Sequence, residues 1–180
     1  GGMLLSDDGE AIQKARFWST QSREPAPWYE HKEIGYNYRM SNIVAGIGRG
    51  QLLHLEEHRA KKEEIYHTYE RAFADLPVRM NPYLPDSRPN FWLSCLTIDP
   101  GCAVTPEQLR LALQAENIEA RPIWKPMHLQ PVFQGRAFLT AAEKPVGEDI
   151  FARGLCLPSD VKNTPADMER VIETVKRVFA

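Results

Sequence analysis

The chain has 180 residues, 43% of them hydrophobic and 26% charged, which is enough apolar material for a full core and too much for a disordered segment. Its 22 Lys and Arg stand against 24 Asp and Glu, a formal charge of -2 with no basic cluster, which disfavours a nucleic-acid partner. No apolar run reaches the ~18 to 20 residues of a membrane span and no signal-peptide pattern opens the chain, so the sequence reads as neither secreted nor inserted.

Gly1 to Ser6 reads as a short strand that begins abruptly, without an initiator methionine, and Asp7-Asp8-Gly9 as a turn able to cap the helix predicted over 10–20. Pro25, Pro27, Trp28 and Tyr29 make 21–33 a long surface loop. Gly35-Tyr36-Asn37-Tyr38-Arg39-Met40 then sets an amide, two phenols and a guanidinium ahead of Ser41 or Asn42, either of which can cap the next helix. A turn feeding a helix N-terminus is a favourable place for a phosphate or carboxylate. A capped loop whose Tyr and Arg only cover the neighbouring helix fits the same residues.

No proline interrupts 41–76, and Ile43, Ile47, Leu52, Leu55, Ile65, Tyr69, Phe73 and Leu76 recur at near-helical spacing, which predicts one long helix. Gly46, Gly48 and Gly50 lack the preceding strand and the following Lys-Ser or Lys-Thr of a phosphate loop, and read as small residues for close helix packing. Beyond Pro77, residues 78–80, 92–98, 118–122 and 155–157 suit strands, Thr105-Pro106 opens a helix to about Glu116, and Thr164-Pro165 opens a final one. In that last helix Met168, Val171, Ile172, Val175 and Val178 form the apolar stripe. The whole of 77–180 is a small α+β domain. Cys95, Cys102 and Cys156, odd in number and without C-x-x-C, read as reduced thiols of a cytoplasmic protein.

Two further patterns carry chemistry. His54-Leu55-Glu56-Glu57-His58 matches H-x-x-E-H, two imidazoles one turn apart that could ligate zinc, although no third ligand is evident and two solvated histidines on a charged helix explain it as well. Arg121 to Pro131 holds Trp124, Lys125 and His128 among prolines in a stiff loop after a strand, which either preorganises polar groups or merely routes the chain.

Gly1-Gly2, the run Tyr36 to Asn42, and Arg121-Pro122 with Trp124 through Pro131 follow one another in an order that closely resembles the DegT/DnrJ/EryC1/StrS family. These are pyridoxal-phosphate-dependent aminotransferases acting on nucleotide-linked keto sugars. The resemblance implies an α/β fold, the C-terminal half of a fold-type I pyridoxal-phosphate-dependent transferase. Residues 1–40 would end the large cofactor-binding domain, 41–76 would be a long interdomain helix, and 77–180 the small domain. It further implies a homodimer with shared active sites, with glutamate and a nucleotide-linked sugar as substrates. In that likeness Asn37 binds the cofactor phosphate of the other subunit, and Tyr38, Arg39, Trp124, Lys125 and His128 bind substrate. The Schiff-base lysine of the family would lie upstream of Gly1; Lys14, Lys32 and Lys125 do not occupy its position, and the chain alone is expected to be inactive. A non-catalytic dimerising module and a zinc hydrolase using His54 and His58 are the alternatives.

Overall fold

The computed structural model describes residues 2–141 and 145–180. Gly1, and with it half of the Gly1-Gly2 pair, lies outside the described residues. The chain divides into two compact units, residues 1–55 and 56–180.

In the first unit, helix α1 runs Gly9–Ser19 with Asp8 as its N-cap, the carboxylate accepting from the Ala11 amide at 3.0 Å. Helix α2 runs Asn42–Leu52, and of the two candidate caps it is Ser41 that serves, its hydroxyl accepting from the Val44 amide. Residues 2–6 carry no strand pairing among the described residues. The strand expected there is therefore not formed, because a strand exists only through a neighbour's ladder.

The single helix expected over 41–76 is two, α2 and α3 (Leu55–Ala72), separated by a turn at Leu53 and His54. Gly46, Gly48 and Gly50 sit in the last two turns of α2, and a Cβ on any of them would meet nothing within 4 Å. Three open glycines weaken a helix interior by roughly 1 kcal/mol each relative to alanine. They lower the helical propensity of α2 just ahead of the break, and the packing partner expected for them is not among the described residues.

The second unit is built on four antiparallel strands in the order β1 (Val78–Met80), β2 (Ser94–Ile98), β4 (Gly154–Leu157), β3 (Arg121–Pro122). The strand expected over 118–122 shrinks to two residues. Helices α3, α4 (Pro106–Ala115) and α6 (Pro165–Phe179) supply Ile65, Tyr69, Leu109, Leu113, Met168, Val171 and Val175, and the turn after α3 supplies Phe73, to one core with Leu96, Ile98, Leu155 and Leu157 of the sheet. Alternation in β2 then sends Cys95 and Thr97 to the opposite face. Both α4 and α6 start at a Thr-Pro with a complete capping box, Thr105 with Gln108 and Thr164 with Asp167. The Asp167 carboxyl is held below its ordinary range chiefly by the Thr164 hydroxyl and then by the Thr164 amide.

Buried polar groups tie α3 to the strand ends. The Tyr69 hydroxyl donates to the Pro158 carbonyl at 2.8 Å, and the Lys62 ammonium donates to the carbonyls of Ser159 (2.7 Å) and Trp92 (3.1 Å). Burial pushes the Tyr69 phenol up. An unforeseen helix, α5 (Val146–Arg153), runs directly into β4 at Gly154. A Cβ on Gly154 would stand 2.4 Å from Ile123 Cγ1 and 2.5 Å from the Ile150 carbonyl oxygen, so only glycine makes this joint.

Candidate functional site

In the first unit, residues 36–38 are fastened to the C-terminal end of α1. The Tyr36 amide donates to the Trp18 carbonyl at 2.7 Å, the Tyr38 amide to Ser19 at 3.0 Å, and the Gln21 amide to the Tyr36 carbonyl at 3.0 Å, with Thr20 and Asn37 as bridge partners. Gly35 makes the approach feasible: a Cβ there would fall 2.2 Å from the Gln21 carbonyl carbon and 2.3 Å from the Ser22 amide nitrogen. Gln21 and Ser22 both take positive φ, 72° and 49°, to turn beneath it. The Ser22 hydroxyl is buried there with no hydrogen-bond partner.

An extended segment sends alternate side chains to opposite sides. Tyr36 and Tyr38 stack on one side, centroids 5.3 Å apart and planes 6° from parallel. Asn37 lines an open hollow of about 520 Å³ together with Tyr36, His31, Lys32 and Glu33. Glu33 is committed elsewhere: its carboxylate pairs with Lys14 and accepts from the Trp18 indole N–H at 2.7 Å. The Lys14 and Trp18 bonds, in that order, hold the Glu33 carboxyl below the usual range. Asn37 and Lys32, which carry an amide and an ammonium, are both among the residues lining the hollow, and these are donor types that a phosphate accepts from. Tyr38 and Arg39 are exposed on the same strip, two residues ahead of the Ser41 cap.

In the second unit, the segment after β3 is not one extended loop but two successive 3-10 turns, Met127–Leu129 and Pro131–Phe133. His128 is fixed from two sides: its Nε2 lies 2.7 Å from Glu148 Oε1, and its ring stacks on Phe138 at 3.6 Å and 12°. An ionised carboxylate only accepts, so in this contact Nε2 is the donor. Trp124 lies elsewhere in the unit, tilted against Trp92 at 5.6 Å over a cleft of about 390 Å³ whose lining includes Arg121, Glu119 and Cys156. Arg121 is held by Glu119 at 2.7 Å. Lys125 is exposed, and its carbonyl accepts from the Gln130 side chain. Glu148, Phe138 and Trp92 were not singled out in the sequence; the acid-rich first turn of α5 was the available signal for Glu148.

The zinc geometry is not met. His54 lies in the turn before α3 while His58 lies on α3, and no three His, Cys, Asp or Glu side chains form a metal-holding group among the described residues.

The DegT/DnrJ/EryC1/StrS aminotransferase family model matches residues 1–176. The chain belongs to this family. EpsN of Bacillus subtilis (strain 168), a proposed pyridoxal phosphate-dependent aminotransferase, is 46% identical over 99% of the chain and 46% of its own length. The GDP-perosamine synthase of Caulobacter vibrioides is 34% identical over 99% of the chain and 48% of its own. The crystal structure of a DegT/DnrJ/EryC1/StrS aminotransferase from Brucella abortus superposes on 98% of the chain with a TM-score of 0.83 at 22% identity, covering 45% of that protein. The α/β fold is thus that of part of a sugar aminotransferase, and the chain spans about half the length of the relatives it matches.

Proposed function

We propose that residues 1–180 are the C-terminal portion of a pyridoxal-phosphate-dependent aminotransferase that moves an amino group, with glutamate as donor, onto a nucleotide-linked keto sugar in the cytoplasm. The observation that supports this is the segment 36–38, pinned by three main-chain hydrogen bonds, with Asn37 and Lys32 lining the same hollow. An amide and an ammonium donor at one hollow suit a phosphate, and the chain's family relatives include a GDP-perosamine synthase.

When bound, pyridoxal phosphate would supply an electron sink for the carbon from which the amine is transferred. The chain's own residues bind and orient. Asn37 holds the phosphate, acting on the cofactor of a second subunit in a homodimer with shared sites. Arg39 pairs through its planar guanidinium with a carboxylate or phosphate of the substrates. His128, steadied by Glu148 and Phe138, meets the sugar, and Tyr38, Trp124 and Lys125 complete the substrate contacts. Lys14 is engaged by Glu33. By the family's motif order, in which Lys14, Lys32 and Lys125 do not occupy the Schiff-base position, the lysine that the amino transfer needs lies outside these residues, and the 180 residues alone are expected to be inactive.

The test uses the full-length protein that carries this region. Asn37→Ala removes one uncharged donor, about 0.5 to 1.5 kcal/mol, so cofactor affinity measured by absorbance titration falls several-fold. His128→Ala leaves cofactor affinity unchanged and lowers kcat/KM for the sugar nucleotide about tenfold or more. Equal effects of both substitutions on cofactor affinity would overturn the assignment.

A further inference from the structure

The cysteines, scattered through the sequence, are not scattered in space. Cys95 of β2 and Cys156 of β4 are cross-strand partners with their sulfurs 3.5 Å apart, both unbonded, whereas Cys102 lies beyond the end of β2. The main chain defines the kind of pair. The Cys95 amide donates to Asn81 Oδ1 at 2.9 Å and the Cys95 carbonyl accepts from the Asn81 amide at 2.9 Å, so both point toward β1 and away from β4. Cys95 and Cys156 are therefore a non-hydrogen-bonded pair, the closer of the two antiparallel kinds, with Cα atoms about 4.5 Å apart. That lies inside the roughly 4.4 to 6.8 Å that a disulfide spans. Closing the bond requires the two sulfurs to approach by side-chain rotation, with no shift of strand register.

The pair borders a cleft. Cys156, itself buried at 7% exposure, is among the residues lining the cleft under Trp92 and Trp124, and Cys95 is half-buried beside it. The S–H that Cys95 donates holds the Cys156 thiol below its ordinary range against the opposing effect of burial. The same bond, with burial, pushes the Cys95 thiol up. A thiolate at Cys156 is the form that attacks.

We propose that Cys95 and Cys156 are a reversible thiol-oxidation site on the floor of this cleft, taking a small-molecule disulfide as its oxidant. The Cys156 thiolate attacks one sulfur of the small disulfide, forming a mixed disulfide and releasing one small thiolate. Cys95 sulfur then attacks the Cys156 sulfur, the second small thiolate leaves, and the Cys95 proton passes to it. Two protein thiols and one small disulfide become one protein disulfide and two small thiols, the two electrons ending on the small molecule. The product clamps β2 to β4 and removes both thiols from the face that carries Arg121. A disulfide that opens and closes is the kind a reducing compartment retains.

Oxidised glutathione is the probe. The folded chain of residues 1–180 is incubated with it, quenched in acid, unfolded, alkylated and weighed. The expected result is a chain two hydrogens lighter that takes one alkyl group instead of three, with a peptide cross-link between Cys95 and Cys156 and all three thiols restored by dithiothreitol. The unfolded chain under the same oxidant should instead favour Cys95 with Cys102, the shortest loop. Either Cys95→Ser or Cys156→Ser should abolish the native cross-link. A native product that keeps three free thiols, retains a stable glutathione adduct, or joins Cys102 to either cysteine would overturn the proposal, and that result on the unsubstituted chain does not depend on a variant folding.

Discussion

Glu33 shows how one carboxylate prepares a site without belonging to it. Bonded to Lys14 and to the Trp18 indole, it fastens to α1 the loop 21–35, in which Lys32 lines the hollow with Asn37. Its carboxyl is depressed in the fold, so the tie is present at neutral pH and is lost as the pH falls through the folded value, which lies below the usual 4.5. The indole N–H resonance of Trp18, followed by NMR, should therefore titrate with a midpoint below 4.5, and Glu33→Gln should remove the transition. A midpoint at or above 4.5 would mean that the tie does not hold in solution. Nothing in the sequence marked Glu33, since its partners lie 15 and 19 residues away. The Ser41 cap behind Asn37, Tyr38 and Arg39 was legible because the cue was local: a serine just ahead of an apolar-periodic run. Cys95 and Cys156 were illegible as a pair for the opposite reason, since strand pairing brings together residues 61 apart.

At the scale of elements, starts were easier to read than extents. Thr105-Pro106 and Thr164-Pro165 announce their helices through capping chemistry carried by adjacent residues, and both begin where expected. The lengths of β3 and of the helix over 41–76 depend on neighbours and on three glycines whose cost a periodicity count does not weigh. The joint between α5 and β4 has no loop to absorb a change of length. One residue inserted between Arg153 and Gly154 shifts β4 by one position, turning Leu155 and Leu157 out of the core and Cys156 into it. The insertion should abolish the cooperative urea transition, while the same insertion beside Gly101, in an exposed turn at φ 85°, should move the midpoint little. Equal tolerance at both places would show that β4 is not held in register by α5.

For the molecule as a whole, the buried core belongs entirely to residues 56–180; α1 and α2 contribute no buried residue, and Ile43, Ile47, Leu52 and Leu53 stand largely exposed. The Asn37 strip is thus carried by a unit whose order rests on main-chain bonds and caps rather than on apolar burial. Calorimetry would read this division directly, because the heat-capacity increment of unfolding counts the residues whose apolar surface is exposed in the transition. At about 12 to 15 cal/mol/K per residue, a transition confined to 56–180 gives about 1.5 to 1.9 kcal/mol/K, against about 2.2 to 2.7 for all 180 residues. The smaller value is expected, with amides of Tyr36 and Tyr38 exchanging with deuterium far sooner than those of Leu96 and Leu155. A ligand gripped by the Asn37 strip would then act as a thermodynamic completion of the first unit: part of its binding free energy is spent on ordering the chain that holds it, and its measured affinity rises with whatever else keeps that unit in place.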